Sequence, residues 1–336
     1  MNKWYSEKGN EGDIVLSTRI RLARNLDDFP FPSRLTAEGK SKVNSLVRSA
    51  LFESDGNDFS CIDMNSLTKL QAISLAERHL ISPEFASSHK DSALLLTEDE
   101  SISIMLCEED HIKLQVMKPG LALEEAYEQA DKIDRILDSK LKYAFDERLG
   151  YLTSYPTNLG TAMRASVLLH LPALTACGQM SGLASTVSKL GLNICGAYGN
   201  RTQPVGDIYQ VSNQITLGIT EETAIANLKS IVLQLVARER AAAENTVKSP
   251  AEEDKIFRAL GILQNARLLS GNEFMELISK LRFGAASGII DIPVETLNAL
   301  IIDMQPATLS VAYENIDSVT ARDALRAEKV REAVKN

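Results

Sequence analysis

The stretch T-N-L-G-T-A-M-R-A-S-V-L-L-H, which runs from Thr157 to His170, decides the fold. A polar turn with one glycine leads into an aliphatic run that ends before Pro172, and this pattern predicts a β-strand. Because side chains alternate along a strand, Arg164 and Ser166 are expected on one face and Ala165 on the other. An arginine at a strand mouth suits a phosphate or carboxylate, since its guanidinium donates two parallel hydrogen bonds. The alternative is a surface arginine paired with an acidic neighbour.

Composition narrows the class of protein. The chain has 336 residues, 44% hydrophobic and 24% charged, with a net charge of −9 and a pI near 5.2. These values are ordinary for a globular protein, and the length suffices for a large domain and a smaller one. The acidic balance argues against direct nucleic-acid or anionic-membrane binding. No run of about 18 apolar residues and no signal-peptide core occurs, so we expect a cytoplasmic protein without membrane association.

Cysteine and histidine spacing gives no metal-ligand pattern, so no metal site is predicted. The cysteines are expected to be reduced thiols in the core or near the site. They are Cys61, Cys107, Cys177 and Cys195, and the histidines are His79, His89, His111 and His170.

Periodicity along the chain predicts a mixed α+β region followed by helices. We expect an irregular arm over residues 1–30, helical segments over 36–90, and strands from Ala93 that include a hairpin around C-E-E-D-H. Further expected elements are a helix over 121–145, the strand after Arg164, a helix over 178–190, a strand over 207–217 and a helix over 221–244. The boundary is placed at N-T-V-K-S-P, giving a domain over 1–245, with a short helical N-terminal part, and a helical domain over 250–336.

Two further segments could carry phosphate or substrate chemistry. If S-T-R-I-R is extended, Arg19 and Arg21 face one side and would repel each other unless a multivalent anion joins them. A solvated basic patch is the alternative. In the E-E-D-H hairpin, Glu109, His111 and Lys113 would share a face, where a carboxylate could orient a cation or act as a base. The alternative there is a polar hairpin turn.

Two later segments are more ambiguous. The loop from Cys195 to Gly206 contains glycines that would let it close over a ligand, although it could equally be a long hairpin connection. Near the C-terminus, R-D-A-L-R-A places Arg322 and Arg326 at helical i, i+4 spacing, which is usual for a solvated helix surface with ion pairs.

Taken in order, these segments resemble one family. S-T-R-I-R-L-A-R-N, R-H-L-I-S, E-E-D-H-I-K-L-Q, G-Y-L-T-S-x-P-T-N-L-G-T, I-Y-Q-V-S-N-Q-I-T-L-G and R-D-A-L-R-A look like the phosphagen kinases, the ATP:guanidino phosphotransferases. The likeness covers nearly the whole chain and is nearest to the bacterial protein-arginine kinases of the McsB type. It implies an α+β fold with an antiparallel sheet flanked by helices, followed by an all-α C-terminal domain.

The resemblance also implies an activity and a set of site residues. The family transfers the γ-phosphoryl group of ATP, with Mg²⁺ held by the nucleotide, to a guanidinium nitrogen, and Glu109 matches its catalytic carboxylate. By the same resemblance, no protein metal site is implied. The residues expected at ATP are Ser17, Thr18, Arg19, Ile20, Arg21, His79, Lys113, Arg164, Ala165, Ser166, Val167, Leu168, Cys195, Gly196, Ala197, Tyr198, Gly199 and Asn200.

Four positions depart from the family pattern. Lys113 stands where the family has an arginine, which keeps the charge but loses the planar fork. Cys195 replaces a phosphate-binding arginine, Asn200 replaces a glutamate, and Tyr155 replaces a reactive cysteine. The neighbouring Arg201 is a candidate for a partial replacement of the lost cation. Together these changes predict reduced turnover.

The C-terminal motif is intact. By resemblance it forms a phosphoarginine pocket that supports allosteric activation, in which Arg322, Asp323, Arg326 and Ala327 take part. Two functions remain open: a protein-arginine kinase with an altered site, or an impaired paralogue that binds phosphoarginine and regulates an active kinase. A kinase for a free guanidino metabolite fits the C-terminal domain less well. The family further implies a homodimer, a stress-response role and three partners: a zinc-binding activator, a heat-shock repressor and the Clp unfoldase.

Overall fold

A computed structural model of the chain describes residues 3–53, 58–88, 90–200, 203–313, 316 and 318–335, with the backbone alone at 199, 200 and 203. The strands are β1 Val15–Arg24, β2 Phe59–Asp63, β3 Ala93–Thr97, β4 Ile102–Leu106, β5 Ile112–Pro119, β6 Phe145–Asp146, β7 Gly150–Tyr151, β8 Met163–His170, β9 Leu192–Gly196, β10 Gly199–Asn200, β11 Gln203–Pro204 and β12 Ile208–Asn213. The helices are α1 Ala37–Phe52, α2 Lys69–Glu77, α3 Pro83–Ser87, α4 Leu123–Asp138, α5 Pro172–Ala176, α6 Met180–Lys189, α7 Glu221–Thr246, α8 Pro250–Asn265, α9 Gly271–Ala286, α10 Val294–Asp303, α11 Pro306–Ala312 and α12 Val319–Ala333.

An eight-stranded antiparallel sheet organises the chain, in the order β2-β3-β4-β5-β1-β8-β12-β9. The E-E-D-H hairpin between β4 and β5 and the strand after the glycine turn are both confirmed. The expected α+β class with flanking helices and a helical C-terminal region is confirmed as well. Among the described residues, no helix is both long and apolar enough to cross a bilayer.

The prediction of an irregular N-terminal arm is wrong. Residues Val15–Arg24 form the strand β1, which pairs with β5 on one side and β8 on the other. Along this strand Ile20 and Leu22 alternate with the arginines and are buried in the core. The helical segment expected over 36–90 is likewise interrupted by β2.

The two faces of the sheet differ in chemistry. On one face Ile20, Leu22, Ala165 and Val167 join a core with α1, α4, α6 and α7. On the other face the same strands present Arg19, Arg21, Arg164 and Ser166, as the alternation predicted. The arginines therefore lie together on the face opposite to this core.

The C-terminal helices pack directly on the sheet. Their core includes Leu16 of β1 and Ile208 of β12 together with residues of α8, α9, α10 and α12. The buried Arg282 of α9 donates to the carbonyl oxygens of Gly12 and Asp13, each at 2.9 Å. The boundary near residue 250 coincides with the break between α7 and α8, while independence of the second domain stays a prediction.

Candidate active site

Strand register brings together arginines that are far apart in sequence. Arg21 of β1 lies directly opposite Arg164 of β8, and Arg19 lies opposite Ser166. Directly opposite side chains on adjacent strands are about 5 Å apart at Cβ, so the guanidiniums form one cationic surface. Arg164 also donates to Asn158 Oδ1 at 3.3 Å, which ties it to the polar turn before β8.

Arg19 is held by a residue that the sequence did not single out. Its Nη2 donates to Gln210 Oε1 at 2.6 Å, and its Nε donates to Ser166 Oγ at 3.3 Å. Gln210 lies on β12, opposite Cys195 of β9. Cys195, where the resemblance leads us to expect an arginine, therefore lies next to the residue that orients Arg19.

A cavity of about 610 Å³ opens over these strands. We call it the larger cavity, and its volume is in the range of small-molecule sites. Its polar walls come from the arginine strands, from the turn after α2 and from the β9 end. The side chains or backbone that line it include Ser17, Arg19, Arg21, Glu77, His79, Ser82, Glu84, Ser166, Leu168, Cys195, Gly196, Ala197, Tyr198, Gln210 and Gln305.

The electrostatics of the larger cavity favour an anion. Burial lowers the pKa of Arg19 well below its usual value, with added repulsion from Arg21, and burial together with Arg164 lowers the pKa of Arg21. The buried Nε of Arg21 has no hydrogen-bond partner within the described part of the chain. Buried donors without partners are costly, so a phosphate that accepts these hydrogen bonds would relieve both the repulsion and the unmet donor.

His79 closes the opposite wall of the larger cavity. Its Nε2 lies 2.7 Å from the hydroxyl of Tyr198, and the two rings meet edge to face with centroids 5.5 Å apart. Burial, followed by the charge of Arg19, lowers the pKa of His79 to about 4, so the ring is neutral near pH 7. The pair joins the turn after α2 to the β9 end and bounds the cavity on both sides.

A second cavity of about 330 Å³ adjoins the first. We call it the smaller cavity; Arg21, Ser82 and Glu84 line both cavities and mark where they meet. It also contains Glu109 and Arg164. Its remaining lining residues are Ala23, Lys113, Tyr155, Thr157, Asn158, Ala162 and Met163.

Glu109 is held at the smaller cavity by its neighbours. Lys113 Nζ lies 2.7 Å from Glu108 Oε2 and 3.1 Å from Glu109 Oε2, and so bridges the two carboxylates. Ser154 Oγ donates to the backbone oxygen of Glu109 at 2.5 Å, while its backbone N–H donates to Asp110 Oδ1 at 2.8 Å. The lysine thus lies beside the carboxylates of the smaller cavity rather than among the arginines of the larger one.

The other residues predicted to bind ATP either point away from both cavities or lie outside the described residues. The side chains of Thr18, Ile20, Ala165 and Val167 point away from both cavities and are buried. Thr18 Oγ1 instead donates to the Gly120 oxygen at 2.7 Å. His89 and Arg201 lie outside the described residues. At Gly199 and Asn200 only the backbone is described.

Several residues that line the cavities were not assigned from the sequence, although Ser82 ends the R-H-L-I-S motif and Gln210 lies in I-Y-Q-V-S-N. Ser82 and Glu84 belong to the start of α3, and Glu77 ends α2. Gln305 precedes α11 in the C-terminal region, yet it lines the larger cavity. Only the alternation along I-Y-Q-V-S-N could have indicated Gln210, since it places that residue on a different face from Tyr209 and Val211.

The C-terminal motif is only partly open. Arg326 is fully buried: its Nε donates to the Met304 oxygen at 2.9 Å, and its Nη1 donates to the Leu269 oxygen at 2.8 Å and to Asp323 at 2.6 Å. The solvated-surface interpretation is therefore wrong for Arg326. Arg322 is partly exposed, and its buried Nε has no partner among the described residues.

Comparison with known proteins agrees with this geometry. The model of the ATP:guanido phosphotransferase C-terminal catalytic domain matches residues 42–242, and that of the protein-arginine kinase McsB C-terminal domain matches residues 251–336. A protein-arginine kinase of Caldanaerobacter subterraneus is 44% identical over 95% of this chain and 96% of its own length. One of Clostridium acetobutylicum is 43% identical over 99% of both chains.

Solved structures show the same fold. The duplicated taurocyamine kinase of Schistosoma mansoni with bound transition-state analogue components superposes with a TM-score of 0.63 at 25% identity, over 79% of this chain and 39% of that one. Lombricine kinase superposes with a TM-score of 0.61 at 24% identity, over 72% and 71%. The chain therefore belongs to the ATP:guanido phosphotransferase, or phosphagen kinase, family, in the branch of the protein-arginine kinases.

Proposed function

We propose that this protein is an ATP-dependent protein-arginine kinase whose active site is partly altered. The observation that carries the proposal is the junction of the two cavities at Arg21: Arg19 and Arg21 line one cavity, and Glu109 lines the other. A nucleotide phosphate in the larger cavity and a guanidinium in the smaller one would meet at that junction. The names of the relatives agree with protein arginine as the acceptor.

In this proposal the arginines bind the nucleotide and Glu109 binds the acceptor. Arg19, Arg21 and Arg164 would hold the phosphates of ATP, whose Mg²⁺ enters with the nucleotide as part of the substrate. Glu109 would orient the acceptor guanidinium. The guanidinium nitrogen attacks the γ-phosphorus, the bond to the β,γ-bridging oxygen breaks, ADP leaves with that electron pair, and the nitrogen's proton passes to the Glu109 carboxylate. Catalysis then rests mainly on alignment and charge neutralisation.

The altered positions lower the expected rate. The thiol of Cys195 supplies no positive charge beside Gln210, and Lys113 bridges Glu108 and Glu109 instead of adding a planar fork. One well-placed stabilising group is worth about 10²–10³ in rate, so slow turnover follows. ATP binding should suffer less, because three arginines remain.

The second candidate function is an impaired paralogue that binds phosphoarginine and regulates an active kinase. The observation in its favour is the Nε of Arg322, next to Asp323, which has no hydrogen-bond partner among the residues that the structure describes. An arginine could take the phosphate and the aspartate the guanidinium of such a ligand. In that case Arg326 would act chiefly by fixing Asp323, and Ala327, which is buried beside it, by packing.

One experiment separates the two functions. Purified protein is incubated with ATP and an arginine-rich protein, and acid-labile phosphate is measured against the Glu109→Gln variant. Phosphate above that background supports the kinase, whereas none, with phosphoarginine still bound, supports the regulator. Allosteric activation, a homodimer, a cytoplasmic stress-response role and the zinc-binding, repressor and Clp partners are part of the proposal by family resemblance alone.

A further inference from the structure

The smaller cavity contains an acidic residue to which no role has yet been given. Among the described residues that line it, Glu84 and Glu109 are the carboxylates. Glu84 also lines the larger cavity, so it lies where the two meet. Its negative charge acts on Arg21 together with those of Glu108 and Glu109.

Charge balance in the smaller cavity leaves Glu109 insufficient for a cationic acceptor. Three cations face the cavity, from Arg21, Lys113 and Arg164, and Lys113 already pairs with Glu109 at 3.1 Å. Lys113 also pairs with Glu108 at 2.7 Å, but without Glu84 an incoming guanidinium would meet Arg21 and Arg164 with Glu109 as the one carboxylate among the described lining residues. A planar guanidinium is best held by carboxylates that accept from its fork of N–H donors. A second carboxylate at this cavity would therefore favour a guanidinium ligand.

The local structure holds Glu84 in place and leaves its carboxylate available. Ser82 Oγ accepts from the Phe85 N–H at 2.9 Å and caps α3, while the same hydroxyl donates to Glu108. The start of α3 is thereby fixed to the E-E-D-H hairpin. Within the described part of the chain, the Glu84 carboxylate forms no hydrogen bond or ion pair. Glu84 is exposed to solvent, yet it lines both cavities together with Arg21.

An aromatic ring completes the site. Tyr155 lines the same cavity and is 52% exposed, which leaves a ring face open to solvent. Guanidinium groups stack on tyrosine faces through the attraction between the cation and the ring's π electrons. Thr153 Oγ1 donates to the backbone oxygen of Tyr155 at 2.9 Å and so fixes the turn that carries it.

We propose that Glu84 is the second guanidinium-orienting carboxylate of the acceptor cavity and that Tyr155 is its stacking face, so that an arginine side chain enters between them. This inference rests on the proposed function, because it assigns residues to the acceptor of that reaction.

The test measures binding of two synthetic peptides to the full chain with Mg-ADP present: one contains a single arginine, and the other has citrulline at the same place. The wild type is expected to prefer the arginine peptide, and Glu84→Gln is expected to lose about tenfold of that preference, since a charge-assisted hydrogen bond is removed. Tyr155→Ala should lose a few-fold, and Tyr155→Phe should retain the wild-type value. Glu147→Gln, an exposed glutamate away from both cavities, is the matched control.

The outcomes distinguish this inference from the proposed function. An unchanged arginine-to-citrulline ratio in Glu84→Gln, with Mg-ADP still bound, would overturn the role of Glu84 even if the wild type transfers phosphate. If Glu84→Gln loses the preference for the arginine peptide and the wild type transfers no phosphate, the acceptor site is upheld and the kinase function is rejected. Where transfer is measurable, Glu84→Gln should raise the peptide KM more than it lowers kcat, whereas a merely structural residue would lower the folded fraction and leave KM unchanged.

Discussion

The guanidinium of Arg19 donates to the side-chain oxygen of Gln210 at 2.6 Å, although the two residues are 191 positions apart in the chain. The contact holds Arg19, which faces the larger cavity, against β12. In the pairing of β12 with β9, Gln210 lies opposite Cys195. Burial makes the charge of Arg19 costly, so a polar partner that orients its guanidinium at the larger cavity favours anion binding.

Gln210→Leu should therefore weaken nucleotide binding without a large loss of stability. Loss of one hydrogen bond to a charged group costs about 1.5–3 kcal/mol, or roughly tenfold or more in the Kd for Mg-ADP. Titration calorimetry of the purified variant measures it. Gln214→Leu, an exposed glutamine just beyond β12, is the control, and an equal affinity in both variants would contradict the orienting role of Gln210.

Arg21→Ala should impair both affinity and turnover. Arg21 is opposite Arg164, lines both cavities and has a buried Nε without a partner among the described residues. We expect at least a tenfold rise in the Kd for Mg-ADP and a fall in kcat of about 10²–10³, because the charge is removed where phosphate and acceptor meet. Arg148→Ala changes an exposed arginine elsewhere and should be neutral; wild-type kinetics in Arg21→Ala would exclude this arrangement.

Cys195→Arg should raise activity. The cysteine lines the larger cavity opposite Gln210, and an arginine there would add a cation beside those that remain. Rate gains of about tenfold or more are expected from the added phosphate contact. Acid-labile phosphate on an arginine-rich protein is the measurement, and Cys177→Arg, at an exposed cysteine after α5, controls for added charge alone. Equal rates in the two variants would contradict our explanation of reduced turnover.

The parts of this site that depend on the alternation of apolar and polar residues along a strand could be predicted from the sequence. The strand with Arg164 and the E-E-D-H hairpin follow from aliphatic residues at every second position. The alternation in S-T-R-I-R was compatible with an extended segment, but only the pairing with β5 and β8 shows that β1 is a central strand and not an irregular arm. Gln210 and Glu84 could not be assigned, since their roles depend on partners brought close by the tertiary fold.

Acid should destabilise the protein partly through His79. Its folded pKa is about 4, whereas an unfolded histidine titrates near 6.5, so the unfolded chain binds the extra proton first as pH falls. The contribution of His79 to stability is therefore full above pH 6.5 and is lost as pH falls toward 4. Urea unfolding between pH 4.5 and 7.5 should show a slope steeper in the wild type than in His79→Gln, by up to about 1.4 kcal/mol per pH unit. Parallel slopes would refute this.

Arg326 and Arg322 should separate stability from ligand binding in the C-terminal motif. Arg326→Ala leaves the Met304 and Leu269 oxygens without their donor and Asp323 without its partner inside the fold, so we expect a loss of about 3–5 kcal/mol in unfolding free energy. Arg322→Ala removes a guanidinium whose Nε bonds to no described residue, and stability should change by less than about 0.5 kcal/mol. Denaturant unfolding measures the first effect, and phosphoarginine titration measures the second. If Arg322→Ala binds phosphoarginine as the wild type does, the regulatory alternative loses its support, while equal stability of the two variants would show that the buried bonds of Arg326 are not structural.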